Sequence, residues 1–177
     1  MQSDGVIVAR VLGGDREAYR ILVERYQERC IGYASHVLQD ADEADDVTQE
    51  AFVRAYRALD QCANPERFKA WLFQILVNRV RSAMEKRSTR ARWIVRADVD
   101  VRVDSIAAET RSPGQGDRVD DVLWVLAPAQ REALMLKYVE GATYDEMARM
   151  TGSSVPALKM RVSRACEILR AKMLAKR

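Results

Sequence analysis

Three short stretches of this sequence each concentrate charge of one sign, and such clusters are surfaces by which proteins bind partners of the opposite charge. Residues 40–50 contain six acidic side chains and no basic one. Residues 78–96 and 159–177 each contain seven basic side chains and a single acidic one. Clustered lysines and arginines neutralise phosphates, so the pattern predicts two contacts with nucleic acid and an acidic contact with a different partner. Three solvated helix faces would produce the same pattern, and charge alone leaves both interpretations open.

The last basic cluster overlaps a stretch with helix-turn-helix form. Between Thr143 and Arg164 the sequence contains a short helical pattern, a turn at Gly152 and a longer basic helix, and the second helix of such a pair fits the DNA major groove. Lysine and arginine both read guanine edges and bind phosphates, so these two roles are not separated. A helical hairpin used only for packing is the alternative, and the dense basic run favours DNA binding. The side predicted to be exposed carries Ser153, Ala157, Lys159, Met160, Ser163 and Arg164.

Enzymatic chemistry has little support. His36 is the only histidine, and Cys30, Cys62 and Cys166 lack the paired spacing of a metal site, which favours passive buried thiols. No glycine-rich phosphate loop or nucleophile–base set is suggested. We therefore expect no catalysis, metal, cofactor or small-molecule substrate. No apolar run approaches the roughly 20 residues of a membrane span, and residues 1–13 lack a signal-peptide layout, which predicts a cytoplasmic protein.

Apolar residues recur at three- and four-residue steps almost throughout, which predicts an all-α fold class. We expect two small helical domains joined by an irregular linker, with the helix-turn-helix in the second domain; the domains cover residues 1–92 and 118–177 and the linker covers 93–117. Val47, Ala51, Phe52 and Tyr56 are expected to face inward, and Trp71 is interpreted as core. The predicted helices cover residues 15–38, 44–59, 64–87, 119–126, 127–138, 144–150 and 155–173, and residues 98–103 alternate like a short strand.

Several segments resemble one protein family. Residues 126–132 (LAPAQRE), 138–148 (YVEGATYDEMA) and 155–165 (VPALKMRVSRA) are similar to region four of the extracytoplasmic-function sigma factors of bacteria. Residues 45–59 (DDVTQEAFVRAYRAL) resemble the polymerase-binding segment of that family, and residues 68–80 (FKAWLFQILVNRV) resemble its minus-ten segment. The order and spacing of both domains agree, and the sigma-E-like, envelope-stress branch is the most similar.

The resemblance implies a factor that binds core RNA polymerase, recognises promoter DNA and directs transcription initiation in a stress or envelope response. It assigns polymerase binding to Asp45, Asp46, Gln49 and Glu50. It assigns minus-ten DNA binding to Asn78, Arg79, Arg81, Lys86 and Arg87, and the loop at residues 60–67 corresponds to the loop that captures a flipped base. It assigns minus-thirty-five DNA binding to Ser153, Ser154, Lys159, Met160, Arg161, Ser163 and Arg164.

The resemblance also implies a protein regulator, and departures from the family pattern imply a promoter preference of this chain's own. Many family members are held inactive by an anti-sigma factor, often membrane-bound, so such a partner is expected here. Pro156, Met160 and Cys166 depart from the family pattern, which predicts an unusual minus-thirty-five preference. In the family the linker runs through the polymerase towards the RNA path, and the acidic linker here is compatible with mimicry of nucleic acid.

Two other classes of function remain as alternatives. An ordinary helix-turn-helix regulator with a helical sensing domain would bind duplex DNA stably on its own, but it leaves the acidic segment and the tryptophan–asparagine segment of the first domain without a role. An enzyme is the weaker alternative, because neighbouring acids such as Asp45 and Asp46 point apart on a helix.

Overall fold

The computed structural model describes residues 2–97 and 123–174, and within those two ranges every regular element is a helix. The first range contains α1 (Asp4–Leu12), α2 (Tyr19–Leu38), α3 (Ala41–Arg57) and α4 (Phe68–Ala97). The second contains α5 (Pro128–Leu134), α6 (Tyr144–Thr151) and α7 (Val155–Leu174), and α5 continues into a π-helical turn, Met135–Val139. The predicted all-α fold class is confirmed.

Local side-chain chemistry explains where these helices begin and end. The Asp40 carboxylate accepts a hydrogen bond from the Glu43 amide (3.1 Å) and so caps α3. Thr143 and Glu146 cap α6 reciprocally, since each side chain accepts from the other residue's amide. After α6, Gly152 adopts a left-handed conformation (φ 64°), which lets the chain turn directly into α7.

The first domain packs α2, α3 and α4 around aromatic side chains. Tyr33 and Phe73 are buried and meet edge to face with ring centroids 5.9 Å apart, and Phe68 is buried against Tyr26. Helix α1 closes one end of this core: its Asp4 carboxylate accepts hydrogen bonds from Arg25 and from the Tyr26 hydroxyl of α2.

The structure corrects several expectations. Helix α1 was not predicted, and α4 continues to Ala97 rather than ending near Arg87, because no glycine or proline interrupts residues 66–112. The helix expected over residues 119–126 is wrong at its end, since residues 124–126 form a turn. Tyr56, expected to face inward, is 38% exposed. The expected strand at residues 98–103 and most of the linker lie outside the described residues.

The two domains are packed against each other, and a buried arginine joins them. Arg131 is 4% exposed, and its guanidinium donates to the carbonyls of Leu123 (3.1 Å) and Leu126 (3.0 Å) in its own domain and of Val37 (3.1 Å) at the end of α2. Burial lowers the pKa of Arg131 to about 10, so the side chain stays charged at neutral pH. One side chain thus donates to three backbone carbonyls, two in the turn before α5 and one at the end of α2.

Substitution of Arg131 should therefore destabilise the whole chain. We expect Arg131→Met to lower the free energy of unfolding by about 2–4 kcal/mol, because the hydrogen bonds of a buried guanidinium to three carbonyls are lost, and Arg131→Lys to fall between it and the wild type. Urea denaturation followed by circular dichroism measures this. Arg149→Met, at an exposed arginine of the same domain, is the control, and an Arg131→Met protein as stable as that control would contradict the assignment.

Candidate functional site

The acidic candidates lie on one exposed stretch of α3. Asp45, Asp46, Gln49 and Glu50 are all exposed, and they span two turns of the helix. The Glu50 carboxylate accepts hydrogen bonds from Arg54 (2.8 Å) and Arg79 (3.3 Å), and these arginines, Arg54 first, lower its pKa. The helix period therefore places all four side chains on solvent, with Glu50 tied to neighbouring arginines.

An apolar groove of about 710 Å³ lies between α2 and α3, beside these side chains. Its position is fixed by Tyr19, whose hydroxyl donates to the Phe52 carbonyl (2.8 Å) and whose ring meets that of Tyr56 edge to face. Burial raises the pKa of Tyr19 well above its usual value, so the hydroxyl remains a donor. The lining includes Val23, Ile31, Phe52, Val53 and Tyr56 together with Asp45 and Gln49.

The basic candidates of α4 are divided among three directions. Asn78 and Lys86 are exposed. Arg79 and Arg87 turn towards α3, where they pair with Glu50 (3.3 Å) and Glu43 (3.1 Å). Arg81 turns towards the second domain and pairs with Glu132. Three of the four basic candidates of α4 therefore pair with carboxylates in this structure.

The loop between α3 and α4 forms one wall of a small pocket of about 210 Å³. Two short 3-10 turns, Leu59–Gln61 and Pro65–Arg67, shape the loop, and the Asn64 side chain accepts from the Glu66 amide (3.2 Å). Trp71 is half-buried: it packs against the core, as expected, and it also lines this pocket. The remaining lining includes Glu146, Arg149 and Met150 from α6 of the other domain.

The helix-turn-helix has the predicted form. Met147, Leu158 and Val162 are buried between α6 and α7. Three candidates serve the hairpin itself: the Ser154 hydroxyl accepts from the Ala157 amide (3.4 Å), and Arg161 is half-buried and donates to the Ser153 hydroxyl (3.0 Å). The exposed face of α7 carries Lys159, Met160, Ser163 and Arg164.

Comparison with known proteins connects these surfaces. The family model for Sigma-70 region 2 matches residues 22–90, and the model for Sigma-70, region 4 matches residues 117–169. The RNA polymerase sigma-H factor of Pseudomonas aeruginosa is 30% identical over 183 residues, which cover 95% of this chain and 92% of that protein. The chain belongs to the sigma-70 family.

Further relatives place it in the extracytoplasmic-function branch. The ECF RNA polymerase sigma-E factor of Escherichia coli is 29% identical, with 94% of this chain and 92% of that protein covered. The structure of CnrH in complex with the cytosolic domain of CnrY matches with a TM-score of 0.68 and 28% identity over 99% of this chain and all of CnrH, that is 100%. The sigma factor RpoE of Bartonella quintana, solved with the anti-sigma factor NepR, matches with a TM-score of 0.66 and 27% identity over 90% and 98% of the two chains.

As a sigma factor, the protein binds core RNA polymerase, recognises promoter DNA and directs transcription initiation. Sigma region 2 begins within α2 and ends within α4, so it contains the acidic face, most of the groove lining and the loop at residues 60–67. Region 4 contains the helix-turn-helix. Helix α1 precedes the region matched by either model.

Sequence reasoning missed the ion pairs that join the two sigma regions. The side chains of Glu132 and Glu140 in the second domain are 2% and 4% exposed, and both lie against basic side chains of the first domain. Their partners are Arg81 for the first and Lys69 and Arg29 for the second. The sequence signal that could have predicted these pairs is an acidic residue at a position that the apolar pattern places in the core, since buried acids are paired.

Two further searches concern only the residues that the structure describes. No three His, Cys, Asp or Glu side chains are grouped there so as to hold a metal ion. Nor does that part of the chain contain a helix long and apolar enough to cross a membrane.

Proposed function

We propose that core polymerase docks on sigma region 2 at the acidic face of α3 and the adjoining groove. Asp45, Asp46, Gln49 and Glu50 supply exposed polar contacts, and the groove supplies apolar surface that a partner helix would bury. A hydrophobic centre with a polar rim is the composition of stable protein interfaces. The proposal is supported by the position of these residues within the segment matched by the sigma region 2 model.

We propose that α4 and the loop before it read the minus-ten element. Asn78 is an exposed amide, which can bond a base edge, and Lys86 is an exposed cation that can follow the backbone. Arg79, Arg81 and Arg87 join them once their carboxylate partners are exchanged for phosphates. The half-buried Trp71 ring beside the loop offers a flipped base a stacking surface, which offsets the cost of unstacking it.

We propose that α7 enters the major groove at the minus-thirty-five element. Lys159, Met160, Ser163 and Arg164 lie on its exposed face, whereas Ser153, Ser154 and Arg161 hold the start of the helix in place and reach DNA only from its end. Met160, where the family commonly has serine, replaces a hydrogen-bonding group with an apolar one. Contact with thymine methyls is therefore the base preference we expect at that position.

We propose that the chain works in the cytoplasm, has no catalysis of its own, and serves a stress or envelope response under an anti-sigma factor that is often membrane-bound in this family. The support is the likeness to the sigma-E factors and to RpoE of Bartonella quintana, which was solved with an anti-sigma factor. The surfaces such a regulator would cover are those proposed for polymerase.

Transcription in vitro with bacterial core polymerase and a library of promoter fragments tests the proposed function. We expect initiation at defined starts only when the protein is added, and the selected fragments report both promoter elements. Stable binding of duplex DNA by the protein alone, without binding to core polymerase or redirected initiation, would instead support the helix-turn-helix regulator.

The polymerase surface makes a specific prediction. Asp46→Arg combined with Gln49→Ala should weaken binding to core polymerase by about tenfold or more, because a cation replaces an anion on the acidic face of α3 and the Gln49 side chain is removed from the lining of the groove. Binding of the upstream element by region 4 should not change. Glu28→Arg makes a similar change of charge at an exposed position of α2 that does not line the groove. Equal affinity of the double variant and this control would place the polymerase surface elsewhere.

The upstream DNA surface makes another. Arg164→Ala should weaken binding of minus-thirty-five DNA and lower the slope of log affinity against log salt by about one unit if the guanidinium contacts a phosphate. Arg170→Ala, at an exposed arginine on a different face of α7, is the control. An affinity loss with an unchanged slope would assign Arg164 to base reading, and no loss at all would remove it from the interface.

A further inference from the structure

The first turn of α1 lies against the loop that precedes α4. The Ser3 hydroxyl donates to Oε1 of Glu66 (2.8 Å). Gly5 approaches the same carboxylate so closely that a Cβ atom on it would lie 2.2 Å from Oε1 and 2.7 Å from Cδ of Glu66. Only a residue without a Cβ permits this approach. Helix α1 therefore holds the loop at residues 60–67 through one glutamate side chain.

The residue between these two fixes α1 to the rest of the domain. Asp4 is buried, and its carboxylate accepts hydrogen bonds from Arg25 and from the Tyr26 hydroxyl (2.5 Å) of α2. Charge-assisted hydrogen bonds of this kind are strong and directional. Successive residues of a helix point about 100° apart, so Asp4 contacts α2 while Ser3 and Gly5 contact the loop. The position of Glu66 is thereby set by α2 through α1.

Glu66 belongs to the part of the loop that shapes the pocket. It lies in the turn Pro65–Arg67, and its amide donates to the side chain of Asn64 (3.2 Å). Asn64 and Gln61 line the pocket beside the loop, whereas Glu66 does not. Ordering a loop costs conformational entropy, and a loop that is already held pays less of that cost when a ligand arrives. Glu66 can therefore fix the loop without contacting a base itself.

We propose that Ser3 and Gly5 are positioning residues for minus-ten recognition, which hold the loop through Glu66 in the conformation that captures a flipped base. The inference rests on the proposed role of the loop. It adds α1, which precedes the segment matched by the sigma region 2 model from residue 22 onwards. A binding site discriminates between ligands only while its supporting contacts keep its shape. Loss of the contact between α1 and the loop should therefore lower base discrimination rather than unfold the chain.

Gly5→Ala tests this contact without weakening the helix. Alanine is a better helix former than glycine, so the variant should unfold at the same temperature as the wild type or a higher one. The added methyl group should displace the Glu66 carboxylate and break its hydrogen bond with Ser3. Gly32→Ala is the matched control, because a Cβ on this glycine of α2 has no atom within 4 Å.

Initiation by the full-length variants with core polymerase provides the readout. The templates are a promoter selected in the transcription assay above and its single-base changes throughout the minus-ten element. We expect Gly5→Ala to lower the preference for the best base at the captured position by about fivefold or more, the lower end of what one base contact contributes. Affinity for core polymerase and binding of the upstream element should not change, and Gly32→Ala should match the wild type throughout.

Two results with Gly5→Ala would overturn the proposal. One is wild-type base preference at every minus-ten position. The other is an equal loss of preference at all positions together with a lower melting temperature, since that pattern reflects general damage to the domain.

A paired substitution tests the hydrogen bond itself. Ser3→Asp keeps a cap for α1, because aspartate also accepts from the Val6 amide as the serine hydroxyl does. It places an anion against Glu66, however, and should reduce base preference as Gly5→Ala does. Combining it with Glu66→Gln lets the new amide donate to the new carboxylate, and base preference should return towards the wild type. A double variant that recovers nothing would overturn the role of this pair.

A variant of the loop separates this inference from the function on which it rests. Gln61→Ala combined with Asn64→Ser removes two amides from the pocket and keeps an acceptor for the Glu66 amide. If this variant alone alters base preference, the loop reads the promoter and only the role of α1 is overturned. If neither it nor Gly5→Ala alters base preference, the proposed placement of the minus-ten loop fails, and the inference fails with it.

Discussion

The ion pair between Glu132 and Arg81 is the contact on which the arrangement of the two domains depends. A carboxylate that is 2% exposed is costly to bury, and only a two-pronged partner such as this guanidinium satisfies both of its oxygens. The adjacent residue, Arg131, has the opposite charge to Glu132, and its guanidinium donates to the Val37 carbonyl of α2. Two neighbouring side chains of α5 therefore contact two different helices of the first domain, and together they fix the distance between the two domains and their relative rotation.

In this packing of the two domains, some of the proposed functional surfaces contact the other domain and others are exposed to solvent. The groove between α2 and α3 is lined only by residues of the first domain, from Arg16 to Tyr56. The exposed face of α7, with Lys159 and Arg164, is likewise on solvent. The loop pocket and Arg81, by contrast, are in contact with the second domain. This contacted surface is the one that we propose holds unpaired DNA, which exists only after a duplex has been opened.

Helical period and capping residues were sufficient to predict most of the fold. Helices α2, α3, α6 and α7 follow from apolar spacing, and Thr143 marks the start of α6, but α3 begins three residues earlier than predicted because Asp40 caps it. Ile7, Val8 and Val11 have the same helical spacing and follow Ser3 as a cap, so α1 could have been predicted from the sequence although it was not. The candidate site could be predicted only in part. The exposure of Asp45, Asp46 and Gln49 follows from the helix period. The ion pair between the two domains does not, because no local rule links Arg81 to a glutamate 51 residues away.

An order of events follows from which surfaces are covered. On the proposed assignments, a partner that binds the groove meets no obstacle from the second domain, so polymerase docking would not require the domains to separate first. Minus-ten recognition would require it, because Arg81 would exchange Glu132 for a phosphate and α6 would leave the loop pocket. If docking on polymerase also holds region 4 at a distance, binding and opening become one thermodynamically coupled step. The basic surface would then reach single-stranded DNA only where the polymerase has placed it, which restricts non-specific binding by the unattached factor.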